Sequence, residues 1–434
     1  MGYPPWISRA VNTGLTEATE LLPSLRQVLP EAAARALAAV VETAEAQRRA
    51  LYLVGGCVRD LALGRELLDV DVVAEGEVQS LAAAAASALG GRLVAHGEFG
   101  TVTLEANEVR VDLAMARAET YARPGALPRV RPASIADDLA RRDFTINALA
   151  LAVCGPERGR LLDPFGGWED LRRGLVRVLH ERSFIDDATR ILRAVRYAAR
   201  LGFRLEKETL LALLRDASCL DTISGARVRQ ELLRLLAEER PEAALVLCQG
   251  LGVLAAVHPA LRFDRRLAAA FRSARRRGAP LGPELYLSLL GTPLAPEEAS
   301  SVAHRLALSA RERRAVEGAV ALGRVVSALA QPHLRPSEVV AQLEACPEAS
   351  LWAWALVGPT PTVRRRIRRY LECWCYVKSL LDGRALEDLG VVRGPLVGEA
   401  MRMLRRARLD GRVRTREQEV ATVHRLLRER GGSS

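Results

Sequence analysis

The chain has 434 residues, 49% of them hydrophobic, and a formal net charge of +11, so it is long enough for several domains and favours a polyanionic partner. No apolar run approaches the roughly 18 residues that cross a bilayer, and the first residues lack the pattern of a targeting signal, which argues against a membrane protein. Seven cysteines show neither zinc-type pairs nor a disulfide framework, so we expect a cytoplasmic protein. The basic residues are arginine except for Lys207 and Lys378, a bias that a GC-rich genome also explains.

The first part of the chain predicts a mixed α/β domain. An amphipathic helix over residues 31–49 precedes a short apolar strand over 51–54, and a second strand follows over 67–73. An alanine-rich helix over 80–89 ends at two glycines. Three further β-type runs, which could complete one sheet, cover residues 92–95, 101–104 and 109–113. From about Leu171 onward, apolar residues recur at three- and four-residue spacing, which predicts helices.

Two aspartates in the second strand suggest chemistry. Asp69 and Asp71 share one face because side chains alternate along a strand, and paired carboxylates suit Mg²⁺. Gly55 and Gly56, followed by a helix start near Val58, would let backbone N–H groups approach a triphosphate. Each feature alone also fits a plain turn or a solvated surface. Together they predict a site of nucleotidyl transfer.

Further motifs follow in a fixed order. After Leu53-Val-Gly-Gly-Cys-Val-Arg-Asp60 and Asp69-Val-Asp71 come Arg141-Arg-Asp-Phe-Thr-Ile-Asn-Ala148, Asp163-Pro-Phe-Gly-Gly167 and Asp187-Ala-Thr-Arg-Ile-Leu-Arg-Ala-Val-Arg196. In this order they closely resemble the class II tRNA nucleotidyltransferase and bacterial poly(A) polymerase family. The resemblance covers about residues 51–240 and is weaker in the tail.

The resemblance implies an α/β head with a nucleotidyltransferase (polymerase-β-like) mixed sheet, followed by an all-α neck, body and tail. The expected domains are a head over residues 1–150, a neck with the nucleotide-selecting helix over 151–240, a body over 241–358 and a tRNA-binding tail over 359–434. The implied activity is template-independent addition of C and/or A from CTP and ATP to the 3′ end of tRNA. The RNA 3′ hydroxyl would attack the α-phosphate in line, with two Mg²⁺ ions, and release pyrophosphate.

Three alternatives remain open at this point. An enzyme that adds only A would need a companion CC-adding enzyme. A poly(A) polymerase would share the same site motifs. A catalytically silent RNA-binding protein is a different class, and the intact Asp69 and Asp71 argue against it.

The resemblance also implies roles for individual residues. Asp112 would be a third carboxylate that ligates a metal or helps to activate the primer hydroxyl, unless it is a strand-end aspartate facing water. In the second motif, Asp143 and Asn147 would bond the ribose hydroxyls, whereas a helix cap and a buried turn are the structural alternatives. Arg59 and Arg142 would contact the nucleotide, Arg142 at the triphosphate.

Asp187 and Arg190 are the predicted nucleotide selectors. Helical spacing over residues 186–201 puts them at i and i+3, with Arg193 and Arg196 as further nucleotide-binding residues on the polar side. Cytosine and adenine each present an amino donor beside a ring-nitrogen acceptor, which complements an acceptor-only aspartate and a donor-only arginine. Uracil and guanine present the opposite pattern. The alternative is a helical salt bridge between the two residues.

Three other segments have proposed roles. The stretch between Arg117 and Asp143, rich in proline, predicts an irregular loop that would act as a lever on the selecting helix, or else a passive surface excursion. Relatives restricted to C addition have a shorter loop here, so the resemblance implies that this chain adds A. Residues 163–167 would form a hinge or a plain connector. The arginine clusters at 275–277 and 364–369 would contact phosphates or simply lie on solvated helix faces.

Overall fold

The computed structural model of the chain describes residues 17–67, 70–96, 100–106 and 109–431. The chain divides into two compact units, and the boundary along the sequence lies between Val257 and His258. Each unit is described by itself.

A mixed sheet forms the first part of the first unit. Its seven described strands lie in the order β3-β4-β5-β2-β1-β8-β9, and only the central β2–β5 pair is parallel. The strands are β1 (Leu51–Val54), β2 (Val70–Ala74), β3 (Arg92–His96), β4 (Thr101–Ala106), β5 (Val109–Met115), β8 (Ala150–Cys154) and β9 (Leu161–Leu162). The sheet therefore extends past residue 150, where the predicted head domain ends.

The register of the central strands positions two of the predicted carboxylates. Asp71 of β2 lies directly beside Asp112 of β5. Val70 and Val72 are buried while Asp71 is partly exposed, so the predicted alternation holds from Val70 to Val72. It ends at Val73, which lies on the Asp71 face and is also buried. Asp69 lies outside the described residues.

Helices cover the sheet as the apolar periodicity predicts. Buried alanine, leucine and valine side chains along the second helix pack it against the strands, and the first part of the chain contains α1 (Leu21–Val28), α2 (Glu31–Ala46), α3 (Gly56–Ala62) and α4 (Gln79–Leu89). The third helix begins at Gly56, earlier than predicted, because Gly55 turns the chain with a φ of +65° immediately after β1.

The prediction of an irregular loop between Arg117 and Asp143 is wrong. Strands β6 (Arg117–Thr120) and β7 (Arg129–Pro132) pair as an antiparallel hairpin, and helix α5 (Ile135–Ala140) follows. Ser134 starts this helix with a capping box, in which its hydroxyl accepts from the Asp137 N–H while the Asp137 carboxylate accepts from the Ser134 N–H. The longest stretch of this segment without helix or strand is the hairpin tip, residues 121–128.

Helices form the rest of the first unit, together with a two-stranded parallel pair, β10 (Leu175–Val176) and β11 (Arg204–Leu205). The helices are α6 (Gly167–Arg173), α7 (Ser183–Asp186), α8 (Thr189–Leu201), α9 (Lys207–Asp216), α10 (Gly225–Leu236), α11 (Pro241–Gly250) and α12 (Val253–Val257). Short 3₁₀ helices are present at Ala18–Glu20, Thr145–Asn147 and Ala217–Thr222.

The second unit is helical throughout its described residues. Its helices are α13 (Arg265–Arg276), α14 (Pro283–Gly291), α15 (Pro296–Arg305), α16 (Ala310–Val325), α17 (Pro336–Leu343), α18 (Glu348–Val357), α19 (Pro361–Glu372), α20 (Gly383–Asp388), α21 (Pro395–Leu409) and α22 (Arg416–Gly431), with 3₁₀ helices Ala328–Ala330 and Trp374–Tyr376. Separate apolar clusters pack around α16 to α19 and around α20 to α22. None of the described helices in either unit is long and apolar enough to cross a membrane.

Part of the 364–369 arginine cluster has structural contacts. Arg366 donates to the carbonyl oxygens of Leu329, Gln331 and Pro332, where a 3₁₀ helix ends. Arg364 donates to the Gly358 carbonyl oxygen. These guanidinium groups satisfy backbone acceptors at chain turns, so the cluster is not simply a solvated helix face.

Candidate functional site

A cavity of about 530 Å³ lies between the sheet and helices α8 and α10 of the first unit, and we call it the Asp71 cavity. It is bounded mainly by charged and polar side chains. Its lining residues are Gly56, Asp71, Glu119, Tyr121, Arg141, Arg142, Asp143, Asn147, Asp187, Thr189, Arg190, Arg193, Tyr197, Arg227, Gln230, Glu231 and Arg234.

The Gly-Gly turn after β1 makes room at the cavity edge. A side chain at Gly55 would collide with the Arg142 guanidinium, and its φ of +65° also disfavours any other residue. Gly56 lines the cavity at the start of α3. The glycines therefore let Arg142 approach the backbone closely, where its Nη1 donates to the Asn147 carbonyl oxygen at 3.5 Å.

A buried network links the first two motifs. Arg59 donates from Nη1 to the Asn147 side-chain oxygen at 2.5 Å and makes a two-bond contact with Asp60. The Asn147 amide donates to Asp143 at 2.8 Å. Asp143 in turn accepts from Arg193 Nε at 2.8 Å and pairs with Arg193 Nη2 at 2.7 Å. Each polar group is thus held by a partner from another segment, which fixes its orientation.

Electrostatics keep the network ionised. Burial alone would raise the pKa of Asp143, but the Arg193 guanidinium and the Asn147 hydrogen bond hold that pKa below its usual value. The ring of Tyr197 lies within 5.0 Å of the Arg59 guanidinium and 4.9 Å of that of Arg196. The arginines are therefore tethered by an aromatic face as well as by carboxylates.

The carboxylate of Asp138 on α5 orients two arginines of the cavity. It is fully buried and accepts from Arg141 Nη2 at 2.7 Å and from Arg142 Nη2 at 2.9 Å. Burial raises its pKa, but the two guanidinium groups lower it to a net value below the ordinary range. The short helix that follows the hairpin thus serves to aim Arg141 and Arg142.

Asp187 and Arg190 both line the Asp71 cavity but do not share one helix. Helix α8 begins at Thr189, and the backbone of Asp187 before it is extended. The Asp187 Oδ1 accepts from the Thr189 N–H and hydroxyl at 3.0 and 2.7 Å, as a residue that caps a helix start does. The expectation of a helix from residue 186 is therefore wrong. Arg190 is buried and donates to the Ser183 hydroxyl and to the Arg141 carbonyl oxygen, so the alternative of an Asp187–Arg190 salt bridge is also wrong.

The ion-pair partner of Asp187 is Arg227 of α10. Arg227 Nη2 lies 2.7 Å from Asp187 Oδ1, and its Nη1 donates to the Gly125 carbonyl oxygen at 3.0 Å. Gly125 is in the hairpin tip with a φ of +71°, and an added Cβ there would come within 2.6 Å of the Thr222 carbonyl oxygen. The tip is therefore docked on the segment that starts α10.

The hairpin also contributes Tyr121 and Glu119 to the cavity wall. The Tyr121 hydroxyl donates to Glu119, and burial together with the Glu119 charge raises the pKa of Tyr121 to about 12. Glu119 also pairs with Arg141 at 2.9 Å. This wall therefore offers a neutral phenol and a charge-balanced carboxylate.

Of the three predicted catalytic carboxylates, Asp71 is the one that the described residues place in the cavity lining. A carboxylate oxygen together with substrate phosphates is a usual ligand set for a hard divalent cation. Within the described residues no set of three His, Cys, Asp or Glu side chains is arranged to hold a metal. Asp112 does not line the cavity in the described residues, since its carboxylate accepts from Thr103 at 2.5 Å and pairs with Arg110 at 3.1 Å.

The motif at 163–167 caps a helix. The Asp163 carboxylate accepts from the N–H groups of Gly167 and Trp168, at 2.7 and 3.0 Å, and so starts α6. A side chain at Gly167 would collide with the Thr145 carbonyl oxygen, so this glycine allows close packing beside the second motif.

Comparison with known proteins agrees with this geometry. Residues 51–177 match the family described as "Poly A polymerase head domain", and residues 202–264 match "Probable RNA and SrmB- binding site of polymerase A". The A-adding tRNA nucleotidyltransferase of Halalkalibacterium halodurans is 33% identical over 87% of this chain and 89% of its own length. The chain belongs to the tRNA nucleotidyltransferase and poly(A) polymerase family.

Relatives within this family differ in named activity. The CC-adding tRNA nucleotidyltransferase of Deinococcus radiodurans is 36% identical to this chain, and the match covers 87% of this chain and 89% of the Deinococcus enzyme. The A-adding enzyme of Geobacter sulfurreducens is 33% identical over 87% of the chain, but the chain spans only 45% of that relative. The structure of the Thermotoga maritima CCA-adding enzyme complexed with tRNA superimposes with a TM-score of 0.74 at 28% identity, covering 95% of this chain and 99% of that one.

The structure of this family member brings most of the predicted site residues to one cavity. The predicted residues that line it come from the Gly-Gly turn, strand β2, the second motif and the segment that carries the nucleotide selectors. They are Gly56, Asp71, Arg142, Asp143, Asn147, Asp187, Arg190 and Arg193. Gly55 and Arg59 lie immediately behind. Arg196 does not line the cavity, because its guanidinium is directed to Glu238 at 3.2 Å and to Glu231 at 3.9 Å.

Several lining residues were not predicted. Arg227, Gln230, Glu231 and Arg234 come from α10, and Tyr121 comes from the hairpin. The face of α10 that lines the cavity carries polar residues at intervals of three and four. The same spacing can be read in the sequence from Arg227 to Arg234. That spacing was the available signal, but it is equally typical of a solvated helix.

Proposed function

We propose that the chain is a template-independent nucleotidyltransferase that adds adenosine, alone or after cytidine, to the 3′ end of tRNA. The observation that carries this proposal is the Asp71 cavity, where an acceptor and a donor, Asp187 and Arg190, lie in the same lining as Asp71 and a set of fixed arginines. The names of the A-adding relatives support A as the added nucleotide.

Each side chain has an assigned role in this proposal. Arg142 and Arg193 bind the triphosphate, and Asp143 and Asn147 lie at the ribose, with Arg59 fixing Asn147 from behind. Asp187 accepts from the exocyclic amine of the base, and Arg190 donates to its ring nitrogen. Since Asp187 Oδ1 already holds Arg227 and Thr189, Oδ2 is the oxygen assigned to the base.

Asp69 and Asp71 are the residues proposed to hold Mg²⁺, with Asp112 as the neighbouring carboxylate that helps to activate the primer hydroxyl. A bound divalent ion supplies charge neutralisation at the phosphates and a lowered barrier for an attacking oxygen. In the proposed reaction the RNA 3′ oxygen forms a bond to the α-phosphorus, the bond to the β-phosphate oxygen breaks, pyrophosphate leaves and the hydroxyl proton is lost to a base.

The decisive experiment uses purified protein with tRNA ending in the discriminator base, in CC or in CCA, each with a single nucleoside triphosphate. Adenosine incorporation on the CC end with none on CCA is the expected result. Repeated adenosine addition to RNA of any 3′ end would instead indicate poly(A) polymerase, the activity that the description of the head-domain family favours. Absence of addition to every RNA would contradict the proposal.

The four-part division of the chain and the tRNA-binding role of its tail remain proposals too. They are supported by the fully helical second unit and by the family description of residues 202–264. A cytoplasmic location and a companion CC-adding enzyme are also expectations that the tRNA assay and cell fractionation would test.

A further inference from the structure

A second cavity, of about 920 Å³, lies toward the C-terminal end of α8 within the same unit, and we call it the Arg65 cavity. Arginine side chains from four segments border it: the segment after α3, the C-terminal half of α8, the end of α10 and the residue before α11. The bordering arginines are Arg65, Arg196, Arg200, Arg234 and Arg240, and the bordering carboxylates are Glu238 and Glu239. Positive charge is therefore in excess.

The charges of this cavity are unevenly compensated. Arg196 pairs with Glu238 and Glu231, and Arg234 pairs with Glu231 at 2.5 Å. The Arg200 guanidinium lies 3.7 Å from the Asp60 carboxylate, which also pairs with Arg59 at 2.7 Å. Glu238, Glu231 and Asp60 thus pair with the arginines of α8 and α10. Among the described residues, Arg65 and Arg240 have no carboxylate within ion-pair distance and are the surplus.

The positive charge of Arg65 is the least compensated by its surroundings. Burial lowers the pKa of its guanidinium, and the nearby positive charges of Arg200 and Arg59 lower it further, while Asp60 acts in the opposite direction. A cation in such surroundings gains from a bound anion.

The floor of the Arg65 cavity is made of small side chains. Ala199, Gly202, Ala237, Ala243 and Ala244 leave space for a chain of phosphates and sugars rather than for a bulky globular partner. Arg234 lines both this cavity and the Asp71 cavity, so the two adjoin along α10. An extended polyanion could therefore pass from one to the other.

We infer that the Arg65 cavity binds backbone phosphates of the single-stranded 3′ end of the RNA substrate, just behind the hydroxyl that is extended. The inference rests on the proposed function and assigns the RNA path within it. Arginine is suited to this role because its planar guanidinium bonds phosphate oxygens in pairs and stays charged. Binding here would position the RNA without reading its sequence.

The test is an equilibrium binding cycle with two variants and two RNAs. Arg65→Gln and Arg240→Gln are compared with wild type on tRNA ending in CC and on the same tRNA lacking its 3′ single strand. Each variant should bind the intact tRNA several-fold more weakly, and its slope of log affinity against log salt should fall by about 0.7, the value for one single-strand phosphate contact. On the truncated tRNA the variants should match wild type.

Arg172→Gln is the matched control, because Arg172 is exposed on α6 of the same unit and borders neither cavity. It should leave affinity and slope unchanged, and ATP affinity and melting temperature should be unchanged in all three variants. Equal losses on intact and truncated tRNA, or weakened ATP binding, would each overturn the inference. Binding is measured without turnover, so a wild-type protein that binds tRNA but adds no nucleotide would refute the proposed function alone.

Discussion

At the scale of single residues, the cavity depends on side chains that are fixed before any ligand arrives. Asp143 is held by Arg193 and Asn147, and Asp187 is held by Thr189 and Arg227. Preorganised polar groups of this kind lower the cost of reordering during a reaction. Substitutions that keep shape but change hydrogen bonding are therefore the sharpest probes.

Asp71→Asn should lower the rate of nucleotide addition by at least about a hundredfold, because an amide is a poor ligand for the cation on which the transition state depends. Single-turnover addition to tRNA ending in CC measures this, and tRNA affinity should stay within a few-fold of wild type. Glu208→Gln, at a side chain that is 73% exposed, is the control and should behave as wild type. Near-normal turnover by Asp71→Asn would remove Asp71 from the metal assignment.

Asp187→Asn should weaken the preference for ATP over GTP by about 1 kcal/mol or more, roughly fivefold, because the amide offers a donor where the carboxylate offers only acceptors. Competition between the two triphosphates on one tRNA gives the ratio directly. Thr189→Val removes a hydroxyl that bonds the other oxygen of Asp187, and it serves as the matched control. Unchanged selectivity in Asp187→Asn, with a lower melting temperature, would make Asp187 only a helix cap.

At the scale of elements, local sequence patterns predict helices, strands and turns better than they predict which side chains contact each other over long range. The periodicity of α2, the strand at β2 and the turn at Gly55 follow from nearest neighbours, and the structure confirms them. The partners of Asp187 and Arg190 come from distant segments, α10 and the second motif, so helical spacing could not identify them. The hairpin was missed because the prolines of this segment predict irregular structure, and helix α5 was missed because its cap at Ser134 was not recognised.

The hairpin tip should influence which nucleotide is added. Gly125→Ala should reduce adenosine addition to tRNA ending in CC, because a Cβ would push the tip from Thr222 and disturb the Arg227 contact with Asp187. Initial rates with ATP measure the loss. Gly90→Ala is the matched control, since Gly90 has a similar φ of +63° but open space around it, and it shares the backbone cost of about 1 to 2 kcal/mol. If both variants lose stability alike and keep adenosine addition, the tip is passive.

The network around Asp143 should make stability depend on acid pH. Its folded-state pKa is held below the ordinary value, so its stabilisation is complete above about pH 4 and is lost as pH falls through the lower folded-state pKa. Asp143→Asn should therefore be less stable than wild type near neutral pH, and this gap should narrow as pH falls below about 4. Chemical denaturation across that range tests it, and a gap that stays constant with pH would show that the carboxylate charge is not what stabilises the network.

At the scale of the whole molecule, the charge of +11 is divided between structural and available arginines. Arg366 and Arg364 hold carbonyl oxygens in the second unit, and Arg59 and Arg196 are paired with carboxylates in the first. Net charge alone therefore overstates the number of contacts that an RNA can make. The slope of log tRNA affinity against log salt would count the phosphate contacts that the available arginines make.

Affinity for tRNA should fall linearly on logarithmic axes by about 0.7 to 0.9 log units per log unit of salt for each phosphate contacted, whereas ATP affinity should change much less. Titrations of both ligands over the same salt range give the two slopes. Arg366→Gln should lower the melting temperature and leave the tRNA slope unaltered, because its guanidinium is bound to backbone carbonyls. Equal, shallow slopes for tRNA and ATP would indicate a small-molecule substrate instead.

The cations that line the Asp71 cavity in the described residues are all arginines, with neither lysine nor histidine among them. A guanidinium keeps its proton at every pH at which a protein remains folded, and the pKa of Tyr121 beside them is raised to about 12. Alkaline conditions therefore leave the positive lining of the cavity intact. A rise or fall in the rate above neutral pH therefore does not report a loss of these cations. The groups left to test are the reacting hydroxyl, the bound ion's water, the RNA, the Tyr197 phenol of the lining and the Cys57 thiol beside Asp71.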